Sequence, residues 1–260
     1  MSSRRSFIKK GALTASIPIF APNTELFSIL KGAPSDQLNI GVIGTGGRGQ
    51  GLINIINRIE GIELIAICDT LPFRLSEAAS LAPKAKQFSN HQEMLLLKNL
   101  DAVIISTPLS THAAIASDAV DASVHIYCEK TMVKGDQDTL DLIQKVENNH
   151  KKVFQTGHQY HSSRLYSHVV EMIQAGDIGQ VIAINAQWNR NGNWRRHVPN
   201  PKLERQINWR MYREYSYGLT AELSSHQIDF CNWLLQDNPK KVAGFGGIDY
   251  WKDGRETYDN

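Results

Sequence analysis

The sequence predicts an α/β fold built on a doubly wound parallel sheet, and three observations carry that expectation. Residues 38–69 read, in order, as strand, glycine turn, helix, strand and terminal acid. Short runs rich in β-branched residues then alternate with helical patterns up to about residue 156, the arrangement that gives parallel strands with helical crossovers. The 260-residue chain is 42% hydrophobic, an ordinary globular share that supports a sizeable core in one large or two modest domains.

Residues 1–31 stand apart as a leader and linker. Ser3-Arg4-Arg5-Ser6-Phe7-Ile8-Lys9-Lys10 precedes a modest apolar stretch at 11–21. A charged start and a short apolar middle read as an export signal rather than a membrane span. The segment resembles the twin-arginine (Tat) translocation signal, S-R-R-x-F-x-K, with Ser3, Arg4, Arg5, Phe7 and Lys9 filling its specified positions. That resemblance implies the Tat export machinery as a partner and a periplasmic or otherwise exported protein. These residues hold a net charge of +4 out of the chain's +2, so the remainder is −2. No nucleic-acid surface is expected from that balance.

The first folded domain is expected over residues 32–156. Leu38–Ile43 is a buried strand, and Gly44-Thr-Gly46-Gly47-Arg48-Gly49 is a G-x-G-x-x-G turn. Gly44 permits the tight turn, Gly46 lets the backbone approach a pyrophosphate, and Gly49 lets the helix lie close on the strand. Leu52, Ile53, Ile55, Ile56 and Ile59 mark that helix, whose N-terminus, with Gly47 and Arg48, faces the phosphates. Ile62–Cys68 is the second strand, and Asp69, twenty residues after Gly49, suits the ribose hydroxyls. A carboxylate there repels a 2′-phosphate, so NAD is expected over NADP, although Arg74 could reach a phosphate. An exported chain meets no free nicotinamide pool, which predicts a tightly bound cofactor regenerated within each turnover.

The pattern continues with helices near 75–81 and 92–97, a strand at 101–106 closed by Thr107-Pro108, and a helix carrying His112. Val124–Tyr127 is a strand ending at Cys128-Glu129-Lys130-Thr131; 136–148 is a helix with Leu140, Ile143 and Val146 facing in; 152–156 is a strand. The second domain, 157–260, opens with a helix at 163–175. Val181–Trp188 and Val242–Tyr250 alternate as strands, and Glu222–Leu235 reads as a helix. The three cysteines form no C-x-x-C; Cys68 and Cys128, at strand ends, read as buried small hydrophobes.

Several residues suit chemistry. Lys130 follows the end of a parallel strand, where ligands of such sheets bind, and a desolvated lysine there suits proton transfer. Glu222, His226 and Asp229 fall at i, i+4 and i+7 on one helix face. His226 is a candidate base, with Glu222 or Asp229 to orient it or to grip substrate hydroxyls. No third ligand joins His226 and Asp229, so no metal is expected. His158 and Tyr160 open at the same sheet edge as Lys130. Trp188, Asn191, Trp194, Arg195, Arg196, Trp209 and Arg210 are aromatic faces and forked donors suited to sugar rings or a carboxylate.

Together these residues resemble the glucose–fructose oxidoreductase and inositol dehydrogenase (Gfo/Idh/MocA) family. The matching pieces are Gly44-x-Gly46-x-x-Gly49, Asp69, Thr107-Pro108-x-x-x-His112, Glu129-Lys130 and Glu222-x-x-x-His226-x-x-Asp229, in the family's order. The resemblance implies a Rossmann domain followed by an α/β domain with a mainly antiparallel open sheet, here incomplete, and a homo-oligomer formed through that sheet. It implies cofactor contacts at Thr107, Pro108, His112 and Glu129, and a catalytic pair, Lys130 and His226, with Glu222 where relatives acting on sugar alcohols carry Asp. Where the family commonly has Glu-Lys-Pro, this chain has Thr131. The expected activity is NAD-dependent oxidation of a sugar or glycoside hydroxyl. The alternatives are glycoside cleavage through transient oxidation with no net redox, and non-catalytic binding of a sugar or cofactor.

Overall fold

Six short strands form the framework: β1 (Leu38–Ile43), β2 (Ile62–Cys68), β3 (Lys86–Phe88), β4 (Ala102–Ile105), β5 (His125–Cys128) and β6 (Phe154–Thr156). All pair in parallel, in the order β3-β2-β1-β4-β5-β6. The computed structural model describes residues 37–260; the twin-arginine segment lies outside the described residues.

The period of two in each strand sends alternate residues to opposite faces. Ile40, Val42 and Ile67 pack with Ile53, Ile56 and Ala78 from α1 (Gly47–Ile56) and α2 (Pro72–Leu81). Ile43, Cys68, Val103 and Ile105 pack on the other side against Met94, Ile115, Ala119 and Leu142. Those come from α3 (His91–Leu95), α4 (His112–Asp121) and α5 (Asp136–Asn148). Both faces are therefore covered, as an all-parallel sheet requires. The strand order reverses its direction of winding between β1 and β4, so the loops after them part and leave a crevice at the strands' carboxyl ends.

Two expectations fail here. On α5, Leu142 is buried while Leu140 and Ile143 are 62% and 41% exposed. The helix carries two adjacent apolar stripes, and the one meeting α4 is the stripe of Leu142 and Val146. Beyond β6 the expected antiparallel open sheet is not found: no strand follows Thr156 among the described residues. Residues 181–188 and 242–250 alternate in sequence but form no strand ladder, and Ile182 and Phe245 are 94% and 101% exposed. Alternation alone does not make a strand; the ladder does. The homo-oligomer expected through that sheet accordingly has no such sheet among the described residues to form on.

This region holds α6 (Arg164–Gln174), the short α7 (Glu204–Ile207), and a π-helical turn, Thr220–Ser224, that runs into α8 (Ser225–Leu235). Side chains stitch its irregular stretches. Arg195 binds Glu204 and Asp253, Arg255 binds Asp253 and Asn193, and Asp259 accepts the backbone N–H groups of Asp249 and Tyr250. Residues 38–260 form one compact unit.

Candidate active site

The glycine turn has the geometry its spacing predicts. Gly44 sits at φ +89°, and a Cβ there would lie 2.7 Å from the Ser106 carbonyl carbon. A Cβ on Gly49 would lie 2.0 Å from the Gly44 carbonyl oxygen, so only glycine lets α1 start this close to β1. Gly47 opens onto free space. No side chain caps α1 at Gly46, which leaves first-turn N–H groups for an anion. Asp69, at the end of β2, is buried and braces the turn from beneath. Its Oδ2 accepts the Thr45 N–H at 2.7 Å and its Oδ1 accepts the Leu71 N–H at 2.9 Å.

A cavity of about 760 Å³ runs from this turn to the π-helical turn before α8. Gly44, Gly46, Gly47, Arg48, Asp69, Thr107 and Pro108 line one part; Lys130, Trp188, Trp194, Arg210, Glu222 and His226 line the other. Lys130 and Thr131 grip successive carbonyls of the π-helical turn. Lys130 Nζ donates to the Glu222 carbonyl oxygen at 2.7 Å, and Thr131 Oγ1 donates to that of Ala221 at 2.8 Å. Burial pushes the Lys130 pKa below the usual lysine range; Arg210 and Arg48 push the same way, and the Glu222 and Glu129 charges oppose them.

His226 is buried, and its Nδ1 has no hydrogen-bond partner. Rings surround it: His158 at 5.9 Å, Tyr160 at 5.2 Å and Trp188 at 5.5 Å between centroids. Burial, then the charges of Lys130 and His158, lower its pKa to about 4, so the imidazole is neutral at pH 7.

Neither carboxylate of the expected helix face orients His226. Glu222 accepts Arg210 Nε at 2.8 Å on Oε2 and Ser216 Oγ at 3.0 Å on Oε1. Asp229 instead meets His161 Nε2 at 2.9 Å. The π-helical turn shifts the phase of residue 222 against the α-helical residues after it, so the i, i+4, i+7 spacing does not describe one face.

The other expected contacts divide. Glu129 does not line the cavity; it holds Arg48, with Nη2 2.6 Å from its Oε1. His112 is buried outside the cavity, between the carbonyls of Thr107 and Thr131 at 3.0 Å each. It ties the loop after β4 to the loop after β5, and burial lowers its pKa. Tyr160 stacks on Tyr166 at 4.4 Å, and His158 lies behind His226. Arg195 is turned away by Glu204 and Asp253. Its neighbours Trp194 and Arg196 face the cavity instead, with His197 and Gln206, which the sequence reading missed.

Two family models match the chain. The oxidoreductase family, NAD-binding Rossmann fold, covers residues 38–158, and the GFO/IDH/MocA C-terminal domain covers residues 166–260. Inositol 2-dehydrogenase of Salmonella typhimurium strain LT2 is 26% identical over 207 residues, spanning 79% of this chain and 56% of the relative. The putative oxidoreductase YteT of Bacillus subtilis is 26% identical over 194 residues, 73% of this chain and 44% of its own length. The chain thus spans about half the length of the curated relatives it matches. Among solved structures, the WlbA dehydrogenase of Bordetella pertussis, in complex with NADH and UDP-GlcNAcA, superposes with a TM-score of 0.70 at 23% identity, covering 86% of this chain and 66% of that one. Scyllo-inositol dehydrogenase of Lactobacillus casei, with NAD(H) and scyllo-inositol, gives 0.61 at 22%, covering 76% and 56%. These likenesses show a shared fold.

Proposed function

The chain belongs to the GFO/IDH/MocA oxidoreductase family, with that family's NAD-binding Rossmann fold over residues 38–158, and on that premise we propose that it oxidises a hydroxyl of a sugar or sugar alcohol. The observation that carries the reading is the meeting of Lys130 with the π-helical turn, 2.7 Å from the Glu222 carbonyl, in the same cavity as the glycine turn. NAD, when bound, supplies the hydride acceptor. The residues present fit it: the open Gly47, the uncapped start of α1, Arg48 and Asp69 suit a pyrophosphate and a ribose.

The chain's own groups then handle the proton. Desolvation favours the neutral amine of Lys130, which can accept the proton of a substrate hydroxyl. His226, neutral and on the cavity wall, can accept a hydrogen bond from a hydroxyl on a ring nitrogen and help hold it. Arg210 and Ser216 fix Glu222, and through its backbone the carbonyl that Lys130 reaches. Export through the twin-arginine route is part of the proposal, supported by residues 3–9. It is tested by fusing residues 1–31 to a reporter active only outside the cytoplasm.

The deciding measurement is NADH formation over a panel of sugars, inositols and glycosides with the full-length protein. Lys130→Met is expected to lower kcat by about 10²–10⁴-fold and His226→Ala chiefly to raise KM, with NAD affinity unchanged in both. Full activity in both variants refutes the site. Release of an aglycone with no change in NADH replaces net oxidation with oxidation-assisted cleavage.

A further inference from the structure

We infer that the sugar taken by this cavity carries an anionic group, a carboxylate or a phosphate, which Arg190 and Arg196 receive. The inference rests on the reading above and names its substrate class.

Six Arg and Lys side chains line the cavity (Arg48, Arg74, Lys130, Arg190, Arg196 and Arg210) against two carboxylates, Asp69 and Glu222. Arg48 pairs with Glu129 at 2.6 Å, and Arg210 pairs with Glu222 at 2.8 Å. Arg74 belongs to the dinucleotide end, where its Nη1 comes within 3.4 Å of a Cβ built on Gly46. Lys130 is held on the Glu222 carbonyl. Arg190 and Arg196 remain, and among the described residues neither guanidinium meets a carboxylate.

Arg190 sits at the reacting end, and Arg196 lines the same cavity. The Arg190 guanidinium lies over the Trp188 ring at 5.1 Å, and that ring is 5.5 Å from His226. One aromatic side chain therefore separates the charge from the catalytic histidine. Arg196 is placed by its backbone: its N–H donates to Asn208 Oδ1 at 2.6 Å, and Asn208 Nδ2 donates back to its carbonyl at 3.1 Å. Asn208 is buried, 2% exposed, and leads directly into Trp209 and Arg210. With Arg195 drawn away by Asp253 and Glu204, the side chain of Arg196 is left on the cavity wall.

A guanidinium fork matches the two oxygens of a carboxylate or phosphate. Trp188, Trp194 and Trp209 add flat apolar surface beside it. A neutral sugar leaves both guanidinia without a countercharge. An anionic one supplies it and is drawn in by the positive excess.

The test is titration of the NAD-loaded full-length protein with D-glucuronate, D-glucose 6-phosphate and D-glucose. At least one anion should bind about tenfold or more tightly than glucose, and the two anion arms separate carboxylate from phosphate. Raising NaCl from about 0.05 M to about 0.5 M should shrink the margin. Arg190→Gln and Arg196→Gln should each remove most of it, Arg196→Lys should keep part of it, and NAD affinity should not change. Equal affinity for glucose and both anions overturns the inference, as does no binding of either anion. A margin that survives the double Arg→Gln variant also overturns it. So does weakened NAD binding in that variant, which would put these arginines on the cofactor's phosphates. Titration needs no turnover, so the two readings fail separately. Anion preference without oxidation of any sugar removes the dehydrogenase reading, and oxidation of neutral sugars without anion preference removes this one.

Discussion

Replacing Glu222 with Gln separates what its carboxylate holds from what its charge does. The side chain is 6% exposed and accepts Arg210 Nε at 2.8 Å and Ser216 Oγ at 3.0 Å. Gln keeps the shape but turns an amide donor toward one of those donors. A hydrogen bond to a charged group contributes about 1.5–3 kcal/mol and a neutral one about 1 kcal/mol. Arg210 is 41% exposed and regains water in the variant, so the upper end of that range is discounted. The net loss is about 2 kcal/mol, which lowers Tm by about 4–8 °C for a chain of this size. The charge is read at Lys130. Burial holds its pKa down and the Glu222 charge opposes that shift, so removing the charge deepens the depression. The limb of the kcat/KM profile set by Lys130 then moves to lower pH. Circular dichroism melting and a pH–rate series on the same variant measure both effects. A Tm within about 1 °C of wild type refutes the buried pair, and a lowered Tm with an unmoved limb refutes its influence on Lys130.

Three further outcomes follow from the same geometry. Gly49→Ala puts a Cβ 2.0 Å from the Gly44 carbonyl, a backbone atom that cannot yield cheaply; NAD affinity by calorimetry should fall at least about 100-fold, with about 1–3 kcal/mol of stability lost to overpacking. His226 has a folded pKa of about 4 against the ordinary 6.5; the folded chain therefore binds fewer protons in that window, stability is lost as pH falls from 6.5 through 4, and His226→Gln should flatten the loss in denaturant titrations. Asp69→Asn weakens the acceptor for the Thr45 and Leu71 N–H groups and removes the charge that repels a 2′-phosphate; an NAD preference undiminished relative to wild type would count against that role.

The Rossmann half was legible because each signal there is local. Gly44 is dictated by its own positive φ and Gly49 by its approach to the Gly44 carbonyl, both within one turn, and Asp69 by the end of the neighbouring strand. The buried strands are apolar runs whose partners lie within the same half. In the second half the helices at 163–175 and 222–235 were legible, and the irregular stretches were not, for the opposite reason. Whether 181–188 is a strand depends on a partner, and which way Arg195 points depends on Asp253, 58 residues later. The anchors at Asn208 and Glu256 are likewise set by contacts that no periodicity records.

The helix carrying His226 shows how one local irregularity changes the chemistry. A regular helix from residue 222 would place Glu222 and Asp229 on either side of His226, and a carboxylate bonded to a ring nitrogen raises its pKa and fixes its tautomer. The π-helical turn at 220–224 instead spends Glu222 on Arg210 and Ser216, while Asp229 goes to His161. His226 is left among rings, with a lowered pKa and a buried Nδ1 that no carboxylate meets. Such a histidine is a weak base and a ready hydrogen-bond acceptor. On the proposed reading, proton transfer therefore falls to Lys130, whose lowered pKa brings its neutral form closer to working pH, and His226 holds the hydroxyl in place. The split is measurable. His226→Asn, which keeps a polar group, should raise KM more than it lowers kcat, whereas Lys130→Met should act on kcat. A loss of kcat in His226→Asn as large as that in Lys130→Met would return the role of base to the histidine.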